Sequence, residues 1–273
     1  MSLSHAERLA HSTVRIECDL PGGIGTGTGF FYSLDRNGDR CVPVIVTNKH
    51  VVANASRGRF LLTLRGTDGL PNVGQCKAYE LDQFEQRWLP HPDPLVDLCV
   101  MPMAPLLQAA DKSNTQFFFA PLDKSLIPSA DEIDDMVGLE SITMIGYPNG
   151  LWDSVNNLPI FRRGMLATDY KRDWNGKKEF LIDAACFPGS SGSPVMLVDG
   201  SGYQTKKRTV TGITSRVKLL GILYAGPQHT VEGEIRVVLV PTQQKAISLA
   251  GIPNNLGIII KAEQLLAFEG KFA

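Results

Sequence analysis

The chain has 273 residues, 43% of them hydrophobic and 20% charged, and its 27 basic and 28 acidic side chains leave a formal net charge of −1. That is enough apolar material for a sizeable core, and the near-neutral balance argues against general electrostatic binding to nucleic acid or to an anionic membrane surface. No stretch is long and apolar enough to span a bilayer. The 26 glycines and 17 prolines, spread along the chain, point to many turns between short strands.

Taken in order, residues 3–11 predict a short amphipathic helix with Leu3, Ala6, Leu9 and Ala10 on one side. Strand signals then recur at Thr13–Cys18, Gly27–Ser33, Val42–Val46, Arg59–Leu64, Cys76–Asp82 and Leu98–Met101. Residues 103–140 are more polar and read as a connection with helical turns. A second set of strands follows at Ser141–Gly146, Phe161–Thr168, Glu179–Ile182, Ser193–Val198, Val217–Tyr224, Arg236–Val240 and Leu256–Ile260. The basic clusters Arg162-Arg163 and Lys206-Lys207-Arg208 sit beside turn signals and read as solvated hairpin ends.

Five cysteines (Cys18, Cys41, Cys76, Cys99, Cys186) are odd in number and lack paired spacing. Three lie in apolar, strand-like contexts, where a free thiol acts as a small hydrophobe. Met1 to Val14 is polar and charged, unlike a signal peptide. These features predict a reduced, cytoplasmic protein. No His/Cys cluster has ligand spacing, so neither a metal nor another cofactor is expected.

The segment Phe187-Pro188-Gly189-Ser190-Ser191-Gly192-Ser193-Pro194-Val195 sets a serine inside a glycine-rich turn that leads into an apolar strand. A serine hydroxyl is a poor nucleophile until a base takes its proton and donors stabilise the oxyanion it creates. A glycine two residues earlier makes positive φ available. Such a turn can aim the N–H groups of Gly189 and Ser191 at one point, which is what an oxyanion hole requires. Gly, Ser and Pro also build ordinary surface turns, so partner residues must decide.

Five histidines make the search for a base short. His5 and His11 lie in the polar N-terminal segment, His91 in a proline-locked loop, and His229 in a turn. His50 follows the run Val42–Thr47, a buried strand closing into a turn, and so sits on a rigid element beside a chain reversal. For the orienting carboxylate, Asp97 heads the apolar strand, where it is costly to bury without a hydrogen-bond partner. A histidine N–H is a natural one. Asp93, between Pro92 and Pro94, is the rival and reads as a solvated turn residue.

Thr47-Asn48-Lys49-His50-Val51-Val52, Asp97-Leu98-Cys99-Val100 and Asp183 through Pro194 together resemble the three signature blocks of trypsin-like serine peptidases. The likeness is to the bacterial branch that includes the high-temperature-requirement proteases. Further blocks agree in order: Gly25–Phe30, Ile145–Pro148, Arg163–Leu166, Leu220–Gly226 and Leu256–Ile260. The order His–Asp–Ser is that of the worked triad template.

This resemblance covers residues 24 to 268. It implies an all-β fold of two six-stranded antiparallel β-barrels, with the active site in the cleft between them and short helices at both ends. In a single peptidase domain, about 1–105 would form the first barrel, 106–140 the connection, and 141–273 the second barrel and closing helix, with no PDZ domain. It also implies that His50, Asp97 and Ser191 are catalytic, with the amides of Gly189 and Ser191 as the oxyanion hole. The pocket floor would lie six residues before the nucleophile, at Ala185, where no charge offsets a lysine or arginine. With Cys186 and Leu223 nearby, a small or medium apolar side chain is expected there. The strand Tyr224-Ala225-Gly226 would pair with an extended substrate. Ser193 departs from the family, which has a second glycine at that place; Ser190 and Ser193 rank below Ser191 on motif position.

The implied function is a serine endopeptidase acting on protein or peptide substrates through an acyl-enzyme. Two other readings stay open: a catalytically silent binding module on the same scaffold, and a protease inert until an activating partner or oligomer orders its oxyanion loop. An esterase fits less well, because the hydrolase elbow leads into a helix and a Pro-led strand follows here.

Overall fold

The computed structural model describes residues 3–37, 40–200, 202–207, 209–211, 215–235, 246–253 and 255–272. Helix α1 (His5–Ala10) begins at a capping box in which Ser4 and Glu7 satisfy each other's backbone amides, and it buries Leu9. There follow β1 (Thr13–Leu20), β2 (Gly23–Asn37), β3 (Arg40–Thr47), the one-turn helix α2 (Lys49–Val52), β4 (Arg57–Arg65), β5 (Pro71–Asp82), β6 (Leu89–Pro90) and β7 (Cys99–Pro102). Hydrogen bonds join the strands in the order β5-β4-β1-β2-β3-β7-β6.

Alternation along β1 buries Val14, Ile16 and Cys18 on one face. They meet Phe31, Ile45, Phe60 and Met101 from the neighbouring strands in one core, so the sheet curls around its own interior. Among the described residues this hydrogen-bonded path does not close on itself. Strand β5 pairs with β4 alone among the described strands and exposes Asn72, Gln75, Lys77, Glu80 and Asp82. Its Tyr79 and Leu81 pack on the core, and its exposed Lys77 and Glu80 suit an edge.

The connection holds α3 (Ala104–Lys112), then β8 (Leu122–Asp123), which runs parallel to β2 at Tyr32 and Ser33, then α4 (Ala130–Asp135) behind a second capping box. Beyond it lie β9 (Ser141–Gly146), β10 (Ile160–Leu166), β11 (Glu179–Asp183), β12 (Pro194–Asp199), β13 (Gly202–Gln204), β14 (Thr209–Thr211), β15 (Arg216–Ala225), β16 (Gln228–Ile235), β17 (Ala246–Pro253) and β18 (Leu256–Lys261). Six of these close into a barrel in the order β10-β11-β18-β15-β12-β9, and closure removes its edges. Strands β13–β14 and β16–β17 form two hairpins of their own. The strand expected at 236–240 lies outside the described residues; β18 completes the barrel by pairing with both β11 and β15.

A shared core holds the halves together. Phe30, Val44 and Val100 from the curled sheet pack with Ile145, Met196 and Leu219 from the barrel. The closing 3₁₀ segment, Ala262–Phe268, drives Leu265 and Phe268 into the same cluster. Burial at this seam fixes the two halves in register, and the candidate site lies along it.

Candidate active site

Strand β3 ends at Thr47 and the chain turns at once into α2. Asn48 stands at the cap position but does not cap; its Nδ2 donates to the Asp97 carbonyl at 2.8 Å. The Asp97 carboxylate serves the helix start instead. Its Oδ1 accepts the His50 N–H at 3.2 Å, and its Oδ2 lies 2.5 Å from His50 Nδ1. One carboxylate therefore fixes both the backbone and the ring of His50. With Nδ1–H donating, Nε2 is left as the basic nitrogen, and it has no hydrogen-bond partner among the described residues. The imidazole is 48% exposed and the Asp97 side chain 23%. Burial opposes ionisation of Asp97, but the hydrogen bond and charge of the His50 ring, with the amides of His50 and Lys49, outweigh it and hold the carboxyl below the usual carboxylate range.

Asp93 closes its own turn, with Oδ1 accepting the Leu95 N–H. His91 lies in the loop between β6 and β7. It is buried; Nδ1 accepts the Asp93 N–H, and Nε2 lies 3.2 Å from the Gln264 carbonyl. It ties the loop that carries Asp97 to the closing segment.

Between β11 and β12 the chain makes the tight turn that the glycines require. Gly189 has φ +84° and Gly192 φ +90°, a region that side chains rarely enter. A Cβ at Gly189 would lie 2.6 Å from the Tyr147 carbonyl oxygen, and one at Gly192 would lie 1.9 Å from that of Thr28. The Pro188 carbonyl accepts the Asn149 N–H at 2.6 Å. In a trans peptide the C=O and N–H point opposite ways, so the Gly189 N–H faces away from that contact. Neither this amide nor that of Ser191 donates to any described residue.

The three serines differ in access. Ser190 and Ser193 are 1% and 0% exposed, whereas Ser191 is half-buried. Among the described residues, no hydrogen bond joins the Ser191 hydroxyl to His50. Their backbones are linked through two threonines. The Thr28 N–H donates to the Ser191 carbonyl at 2.9 Å, and the Thr47 hydroxyl donates to the Thr28 carbonyl at 2.7 Å.

Beside this loop, a Cβ at Gly257 would lie 2.7 Å from Cys186 Sγ and 2.9 Å from a Leu223 methyl. Cys186, Leu223 and Ile182 thus meet in a tight apolar wall, while Ala185 is half-buried next to it. Burial pushes the Cys186 thiol up to about 11, so it stays protonated at neutral pH. Reciprocal backbone bonds bind β15 to the serine loop, Gly192 N–H to Leu223 O and Leu223 N–H to Ser193 O. Pairing with β12 begins at Ile222 opposite Pro194, so Tyr224, Ala225 and Gly226 run past it. The Tyr224 side chain is not part of that edge: its hydroxyl donates to Glu179 at 3.0 Å, and its ring packs on the core between the halves.

Arg162, expected as a solvated hairpin end, turns inward. Its Nη1 donates to the Ala185 carbonyl at 2.7 Å, and its guanidinium lies 4.8 Å from the Phe187 ring centroid. The period of two along β10 carried this signal, because Arg162 shares a face with buried Leu166. Hydrogen bonds to charged groups contribute about 1.5–3 kcal/mol, so Arg162→Ala should lower thermal stability by an amount in that range and speed amide exchange at residues 185–189. Arg162→Lys, which cannot stack flat, should recover only part of it.

The sequence model of the trypsin-like peptidase domain matches residues 27–201, a span that contains His50, Asp97 and Ser191. No curated protein matches this chain. Similar solved structures include the inactive form of an Rv3671c mutant from M. tuberculosis H37Rv, 16% identical with a TM-score of 0.45, covering 95% of this chain and 86% of that one. The HtrA-type protease AlgW with a tripeptide is 17% identical with a TM-score of 0.46, covering 96% of this chain and 60% of its own. The serine endoprotease from Yersinia pestis is 16% identical with a TM-score of 0.45, covering 97% and 65%. The chain thus spans less than two thirds of the last two. The match across residues 27–201 makes this chain a member of the trypsin-like peptidase domain family.

Proposed function

We propose that the protein is a serine endopeptidase working through His50, Asp97 and Ser191. The observation that carries this reading is the two-point grip of Asp97 on His50, beside a serine loop with two amides that donate to no described residue. His50 Nε2 takes the Ser191 proton while Oγ attacks the peptide carbonyl, and the amides of Gly189 and Ser191 receive the oxyanion. The imidazolium, stabilised by Asp97, then gives that proton to the leaving amine. Water repeats the cycle on the acyl-enzyme and restores the serine. The open Ser191–His50 contact suits an unliganded site, where such bonds tighten once substrate is bound.

In this reading the curled sheet, up to about residue 105, and the barrel from residue 141 are the two halves of a double-barrel peptidase domain, joined by residues 106–140. Substrates are extended protein or peptide chains that pair with the backbone of Tyr224 to Gly226. Ala185, Cys186 and Leu223 favour a small or medium apolar side chain before the scissile bond. The five free cysteines suit a reducing compartment such as the cytoplasm. A protease waiting for an activating partner is expected to turn the peptide before Gly189 the other way. The Pro188–Asn149 bond favours competence without one.

The test is covalent labelling by a fluorophosphonate probe, present in the wild type and absent in Ser191→Ala. Cleavage of a peptide library should then favour Ala, Val or Leu before the cut. Dominance of lysine or arginine there would overturn the pocket assignment.

A further inference from the structure

Thr28 is buried at the seam and uses every polar group it has on the site. Its N–H donates to the Ser191 carbonyl at 2.9 Å, and its own carbonyl accepts the Thr47 hydroxyl at 2.7 Å. Its hydroxyl donates to the Gly189 carbonyl at 2.9 Å and accepts the Tyr147 N–H at 3.1 Å. Gly189 therefore lies between two tethered peptide planes. The plane before it is held by the Pro188 carbonyl on the Asn149 N–H, and the plane after it by the Gly189 carbonyl on Thr28 Oγ1. Fixing both planes fixes the φ and ψ of Gly189, and with them the direction of its N–H.

Space around the hydroxyl is closed. A Cβ on Gly146 would lie 2.7 Å from Thr28 Oγ1 and 2.0 Å from Ser193 Oγ, so the β9 backbone and the Ser193 side chain crowd the hydroxyl. Tyr147 and Asn149 belong to one turn, and the same hydroxyl therefore locks that turn to the nucleophile loop.

We infer that Thr28 is a positioning residue, whose side-chain hydroxyl holds the Gly189 amide aimed at the oxyanion; this assignment rests on the endopeptidase reading. Valine in its place keeps the shape but leaves the Gly189 carbonyl and the Tyr147 N–H buried and unpaired. That strain relaxes by rotation of the Gly189 peptides. Losing an oxyanion donor outright costs about 100- to 1,000-fold, and misaiming one should cost less.

In steady-state peptide hydrolysis, Thr28→Val should lower kcat about 10- to 100-fold with KM held within about threefold. Thr28→Ser, which retains the hydroxyl, should stay within about threefold of wild type. A merely structural role would not divide kcat from KM in this way, nor be rescued by serine alone. Should the valine variant fail to fold, Thr28→Ala carries the same expectation. Wild-type kcat in the valine or alanine variant, or an equal loss in Thr28→Ser, would overturn the assignment while leaving the protease reading intact. A wild type with no Ser191-dependent turnover sinks both.

Discussion

Ser191→Ala should lose peptide hydrolysis by about 10⁴- to 10⁶-fold, His50→Ala should lose a similar amount, and the double variant should fall little further. Nucleophile and base act as a unit, so removing either leaves only what the loop amides and substrate binding still supply. The amides of Gly189 and Ser191 are untouched by either change, and they should sustain a residual rate above water. The loss is chemical rather than structural. Ser191 is half-buried and its hydroxyl hydrogen-bonds to no described residue, so Ser191→Ala should unfold within about 0.5 kcal/mol of wild type. Ser193→Ala is the matching control. That hydroxyl is fully buried without a hydrogen-bond partner among the described residues, so its removal should be neutral or stabilising and leave turnover intact. Single and double kcat/KM values with thermal melts decide the matter. Losses that multiply, or a Ser193→Ala variant as inactive as Ser191→Ala, would reassign the nucleophile.

Much of this site is legible in sequence because its geometry is local. Gly189 and Gly192 adopt positive φ, and a glycine–serine turn before an apolar strand announces that conformation. His50 lies where β3 turns into α2, a change marked by the end of the apolar run at Thr47. An acid heading an apolar stretch demands a donor, and Asp97 finds two on His50. The parts that sequence does not disclose depend on distant partners. How the first sheet is completed depends on partners far along the chain: β5 pairs with β4 alone among the described strands, while its Tyr79 and Leu81 pack on the core. Between β15 and β18, strands β16 and β17 pair with each other, a hairpin that local composition does not announce. Tyr224 has a backbone suited to substrate and a side chain turned to Glu179, a division that periodicity cannot register. Arg162 was visible in the strand period, but its target, a carbonyl 23 residues away, was not.

Asp97→Asn should reduce kcat by about 10⁴-fold at neutral pH, with the fold intact. The carboxylate accepts from two donors at once, the His50 main-chain N–H at Oδ1 and the ring Nδ1–H at Oδ2. A carboxamide has one oxygen and can satisfy only one of them. If the oxygen keeps the backbone amide, the NH₂ group confronts Nδ1, which must then accept. That tautomer places the proton on Nε2, where the Ser191 proton has to go, and the base is spent before the reaction starts. Asn48 Nδ2 would still hold the Asp97 main chain, so the defect lies in the proton's location rather than in the loop. The pH dependence of stability has a defined sign. The Asp97 carboxyl is held below its unfolded value, which is about 3.9. Its contribution is therefore present above that pH and disappears as acid carries it through the lower folded value. The melting-temperature gap between wild type and Asp97→Asn should shrink as pH falls below about 4. Activity within about tenfold of wild type at neutral pH would instead make the Asp97–His50 contact a helix cap with no part in catalysis.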